Sequence, residues 1–136
     1  MSQATPYERY VETQVNTLTP EGLILMAYDG AIRFARTARE KMQAGKLDEQ
    51  SRNIVKVQKI LLELIASLDP KPNPTLADHL DRLYRYMFDR LTHANIRDDI
   101  KALEEVISAL AELRSAWAQA AVITRSSAVQ TGDLAA

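Results

Sequence analysis

Apolar residues recur at helical spacing along almost the whole chain. Tyr7, Val11, Val15 and Leu18 step by four, four and three, forming one stripe of a short N-terminal helix. A longer helix is predicted from Pro20 to about Gln43. Thr19 caps it, Pro20 fits the first helical position, and Glu21 places negative charge at the positive end of the dipole. Gly45 suits a left-handed cap beyond its end. At ~100° per residue, the apolar positions from Leu23 to Ala35 fill an arc of roughly 200°. One core-facing stripe needs only a little over ~100°.

A second helix is expected from about Glu49 to Leu68, with Asp48 as its cap. Ile54, Val57, Leu61, Leu64 and Leu68 form its seam, and Val55, Leu62 and Ala66 a smaller second stripe. Three prolines between Asp69 and Pro74 then hold an extended link. Thr75, with Asp78 three residues on, is the expected cap of a third helix. Its seam is Leu76, Leu80, Leu83, Met87 and Leu91, widened by Tyr84 and Phe88, with His79 and Tyr86 on the outside. A fourth helix starts near Asp98 or Asp99 and runs to about Ile123. Ile100, Leu103, Val106, Ile107, Leu110, Leu113 and Trp117 again cover roughly 200°. Arg114 falls inside this arc, and Asp29 can serve as its partner if the first and fourth helices are neighbours.

Short links between long helices predict an all-α, antiparallel up-down-up-down four-helix bundle with a short N-terminal cap helix. Residues 1–18 are the cap or docking segment, 19–123 the bundle, and 124–136 a flexible C-terminal tail.

Composition narrows the function. Hydrophobic residues at 46% and charged residues at 26% suit one globular domain. A net charge of −1 gives no bulk attraction to nucleic acid. The chain has no cysteine, which removes disulfides and thiolate metal sites and suits a cytoplasmic protein. Residues 1–6 show no secretory signal pattern. Enzyme chemistry finds no footing. The four glycines form no phosphate loop, and neither His79 nor His93 has a glutamate three residues before it, as a bundle di-metal site needs. His79 continues into Leu80-Asp81-Arg82-Leu83, without the lysine and glycine of a phosphotransfer histidine. No cofactor, metal, small-molecule substrate or catalytic residue is expected. What remains is surplus apolar surface. It fits a fifth packing element, a homodimer, or a groove for an amphipathic partner helix.

Three steps in the sequence add a resemblance. Tyr28-Asp29-Gly30-Ala31-Ile32, within the stretch from Thr19 to Phe34, is the first. Tyr84-Arg85-Tyr86-Met87, leading into Phe88 to Asn95, is the second. Leu113-Arg114-Ser115-Ala116-Trp117 is the third. Their order and spacing resemble the FliS family of flagellin export chaperones, from about Tyr7 to Ala120. Two departures are visible: Ala27 stands where the family usually has leucine, and the proline loop replaces a Gly-rich acidic link.

The resemblance implies a non-enzymatic cytoplasmic chaperone. It would bind the disordered C-terminal region of flagellin, prevent premature polymerisation and deliver it to the flagellar type III export apparatus. The export-gate membrane protein would be a transient partner. The expected partner-binding residues are Ile24, Leu25, Tyr28 and Ile32 on the first long helix and Ile100, Leu103 and Ile107 on the fourth. Tyr7, Tyr10, Val11 and Val15 would form the cap or gate-docking arm. The alternative is a helical homodimer, structural or regulatory, that binds another secretion partner.

Overall fold

The computed structural model describes residues 19–135, with side chains described as far as residue 123. It is all-helical: α1 (Pro20–Gln43), α2 (Leu47–Ala66), α3 (Pro74–Arg97) and α4 (Ile100–Ala135), with no strand among the described residues. α1 packs on α2 and α4, and α3 also packs on α2 and α4. The diagonal pairs α1–α3 and α2–α4 make no backbone contact among the described residues.

α1 has the bounds its pattern predicts. The Thr19 hydroxyl accepts from the Gly22 amide at 3.0 Å, and Pro20 opens the helix. Its other end closes in a Schellman arrangement. Lys46 N–H donates to Lys41 O, Gly45 N–H donates to Met42 O, and Gly45 takes φ 71°.

The other helix starts differ from expectation. α2 begins at Leu47, so Asp48 lies inside the first turn and caps nothing. The Schellman turn delivers the chain into helical geometry a residue early, and Lys46 at the cap position makes no side-chain bond. α3 is capped by Asn73, not Thr75: the Asn73 carbonyl accepts from the Leu76 amide at 3.1 Å. Pro74 decides this, because it favours the first helical position and holds the residue before it extended. Asp98 ends α3 at φ 51°, the left-handed conformation that asparagine and aspartate tolerate best after glycine. Asp99 then caps α4, accepting from the amides of Lys101 and Ala102. α4 continues past Ile123, where its apolar pattern ends, to Ala135.

The core joins all four helices. Tyr28, Ala31, Ala35 and Ala38 of α1 meet Ile54, Val57 and Leu61 of α2. Tyr84, Met87 and Leu91 of α3 and Leu103, Val106 and Leu110 of α4 complete it. From Ile100 to Ile123, α4 is long and apolar enough to cross a membrane by length and composition. In this fold Leu103, Val106 and Leu110 turn one face of it into the core, while Val122 and Ile123 stay exposed.

Polar links tie neighbouring helices. Lys41 pairs with Glu49 at 2.8 Å, and Gln50 donates to Asn95 and Asp98. Gln58 donates to Thr92. Arg90 and Tyr86 both donate to the carboxylate of Glu105. That contact holds the Glu105 carboxyl below its usual range and pushes the Tyr86 phenol up. Tyr86 therefore braces α3 against α4.

Candidate functional site: an apolar groove

The second stripe of α2 is uncovered, as its separation from the seam implies: Val55, Leu62 and Ala66 are exposed. Concave apolar surface lies elsewhere among the described residues. Two adjoining hollows share Leu76, Leu80 and Trp117. One, about 270 Å³, is walled by Ile24 of α1, Leu64 of α2, Leu76, Leu80 and Tyr84 of α3 and Trp117 of α4, with Leu68 from the link after α2. The other, about 220 Å³, runs between α3 and α4 over Leu113, Ala116, Trp117 and Ala120. Joined, they make one groove that begins near the start of α1 and follows α4.

Local sequence explains this shape. Asn73 and Pro74 start α3 sharply, so Leu76 sits in its first turn with 47% of its surface exposed. α4 outlasts α3 at this end, and its Ala116 and Ala120 leave room beside the Trp117 indole. Beneath Trp117 the hydroxyls of Tyr28 and Tyr84 share a buried hydrogen bond. Burial raises both phenols, so both are neutral at ordinary pH. The groove's polar rim is Ser67, Asp69 and Asn73. Such a surface holds apolar side chains of a partner and performs no chemistry. No group of acidic, histidine or cysteine side chains suited to a metal ion occurs among the described residues.

The residues expected to bind a partner divide. Ile24 lines the groove and is half-buried. Leu25 and Ile100 are half-buried but lie outside both hollows. Tyr28 and Leu103 are wholly buried, and Ile32 and Ile107 retain 8% and 7% exposure. In this structure those four are core residues. The reason is geometric: a helix packed on two neighbours buries a wider arc than a helix on one layer, so a 200° arc leaves little over. Tyr7, Tyr10, Val11 and Val15 lie outside the described residues. Sequence reasoning placed Leu64, Leu68, Leu76 and Leu80 in seams and Leu113 and Trp117 in the wide arc of the fourth helix, and of the groove's wall it named Ile24 alone as partner-binding. The one available signal was Leu76, a large apolar residue in the first turn after a proline loop.

The comparisons with known proteins bear on what uses the groove. A family profile described as "Flagellar protein FliS" matches residues 2–124. The chain belongs to the FliS family. The Bacillus subtilis (strain 168) flagellar secretion chaperone FliS is 34% identical over 135 residues, which covers 99% of this chain and 100% of that protein. The Salmonella typhimurium (strain LT2) flagellar secretion chaperone FliS is 36% identical over 110 residues, 80% of this chain and 82% of the relative. The Pseudomonas aeruginosa flagellar secretion chaperone FliSB is 36% identical over 107 residues, 79% and 85% respectively. FliS is a family of chaperones, not of enzymes. The groove agrees with that: it offers shape and apolar area, and no reactive group.

Proposed function

We propose that the protein is a cytoplasmic flagellar export chaperone. It binds the disordered C-terminal region of flagellin, keeps it from polymerising early and delivers it to the type III export apparatus. The observation that carries this reading is the continuous groove over Leu76, Leu80, Leu113 and Trp117 in a FliS-family chain. A segment that is disordered when free loses much conformational freedom on docking, so it needs extended apolar contact. A groove shared by four elements supplies it. Side chains spaced at three and four along an amphipathic helix fit such a groove.

The bundle is taken as antiparallel, up-down-up-down. Supporting pairs are Lys41 with Glu49, Gln50 with Asn95, Arg90 with Glu105, and Arg114 with Asp29. Residues 1–18 precede the helix that carries Ile24 into the groove. Their stripe of Tyr7, Val11, Val15 and Leu18 suits a cap that yields to cargo, with Tyr7 and Tyr10 free to meet the export gate afterwards. Residues 124–136 are taken as a tail outside the working surface. Nothing in the groove favours a homodimer over a foreign segment, so that alternative stays with the oligomeric measurement below.

The experiment is titration of the full chain with a synthetic flagellin C-terminal segment, read by calorimetry and circular dichroism. Saturable binding with a gain of helicity is expected, tightened by deletion of residues 1–18. No binding at micromolar concentration overturns the reading. A tight dimer across dilution that ignores the segment favours the homodimer.

A further inference from the structure

A second concave surface lies on the α1–α4 side, away from the groove's shared wall of Leu76, Leu80 and Trp117. This cleft, about 480 Å³, is lined by Asp29, Ile32, Arg33, Arg36 and Glu40 of α1 and by Arg114 of α4, among others. Ala111 of α4 leaves the gap open by its small side chain.

Its arginines are only partly engaged. Arg114 donates through Nε alone to Asp29 Oδ1 at 2.9 Å. The two terminal nitrogens of that guanidinium have no partner among the described residues. Arg36 has no carboxylate within salt-bridge distance among the described residues, although Glu40 stands one turn along α1. Base before acid is the weaker order for a pair at that spacing. Arg33 rests over the Phe34 ring at 5.2 Å and has no carboxylate partner either among the described residues. The cleft thus holds three guanidiniums against two carboxylates, one of them already engaged. On a chain of net charge −1, this is a local positive site and not a share of a bulk field.

We propose that this cleft docks an acidic peptide segment of a second protein, independently of whatever fills the apolar groove. Guanidinium forks recognise carboxylates through paired, charge-assisted hydrogen bonds, and nitrogens of Arg114 and Arg36 that have no partner among the described residues can make them. Arg36 lies seven residues from Asp29, the Arg114 anchor, so the two forks are separated by roughly 10 Å along α1. Two carboxylates about that far apart satisfy both. The apolar strip of Ile32 and Ala111 between them accommodates the intervening small side chains. A single phosphate ion reaches one fork only.

The test uses the full chain and an acetylated, amidated, alanine-rich helical peptide with two glutamates about seven residues apart, matching the roughly 10 Å spacing. The same peptide with glutamines is the control. Calorimetry at low salt should show the glutamate peptide binding and the glutamine peptide not binding. Arg36→Glu should weaken binding by at least about tenfold. Arg82→Glu, a reversal of the same size on α3 where the arginine pairs with Asp78, should leave it unchanged. Arg36→Gln, which keeps a polar side chain, carries the same test should the reversal disturb folding. Saturation of the groove with the flagellin segment should leave the affinity unaltered. Equal binding of both peptides, equal losses from the two reversals, or competition by the flagellin segment each overturns the proposal. Because cargo binding is read separately, failure here leaves the chaperone reading standing.

Discussion

The hydroxyls of Tyr28 on α1 and Tyr84 on α3 meet in a hydrogen bond across the bundle, between helices whose backbones do not touch. Two long aromatic side chains reach across that diagonal. Tyr28→Phe removes one partner and leaves the Tyr84 hydroxyl buried without it. The expected cost is about 1–3 kcal/mol in urea unfolding. The double change Tyr28→Phe with Tyr84→Phe should cost less than the sum of the single changes, because neither hydroxyl is left to lack the other. Additive losses would mean the bond contributes nothing beyond packing.

The same pair sets an alkaline limit. Burial raises both phenols, Tyr28 also through its contact with Tyr84, while the Trp117 indole acts in the opposite direction on each. A raised folded-state pKa means the unfolded chain loses its protons first. The contribution is therefore complete below the unfolded value near ~10 and declines as pH rises through it. Unfolding midpoints measured from about pH 8 to 11 should fall at the upper end. The double phenylalanine variant should flatten that fall.

Core and groove can be separated by two leucines. Leu76 is 47% exposed at the groove's lip, and Leu103 is fully buried. Leu76→Glu should change stability by no more than about 0.5 kcal/mol. It should weaken binding of the flagellin segment at least about tenfold. Leu103→Ala should cost about 2–5 kcal/mol in stability, and affinity measured on the folded fraction should hold. Calorimetry beside urea unfolding gives both numbers, and the reverse pattern would relocate the site to the residues of α4 that the sequence favoured.

Two glycines should respond in opposite directions. A Cβ on Gly30 would meet the Ile60 Cδ1 atom at 3.6 Å, an ordinary contact, in the middle of α1. Gly30→Ala should stabilise by about 0.5–1 kcal/mol. Gly45 holds φ 71° in the turn after α1, and Gly45→Ala should destabilise by about 1 kcal/mol. Urea unfolding of the two single variants checks both signs.

The sequence carried the bundle well where one residue decides one feature. Thr19 with Pro20 marked the start of α1, and Arg114 inside an apolar arc pointed to Asp29. It failed where a choice depends on a neighbour. Asn73 outcompetes Thr75 because Pro74 follows it, and Asp48 is passed over because the turn at Gly45 starts α2 early. Asp98 in a left-handed position gave no pattern at all. The groove was the hardest feature to see. Leu64, Leu76 and Trp117 come from three helices and look like ordinary core-facing residues, while Ile24 of α1 already stood among the expected partner-binding residues. Only the relative lengths of α3 and α4 expose them together. The wide arcs of α1 and α4 did not show how far packing on two neighbours would bury Tyr28, Ile32, Leu103 and Ile107.

Trp117 has one more consequence. The chain contains a single tryptophan, and it stands in the wall common to both hollows, above two buried phenols. Tryptophan emission from this protein is therefore emission from the groove. Whatever enters, leaves or covers that surface alters the surroundings of one indole, and the molecule carries its own optical reporter of occupancy.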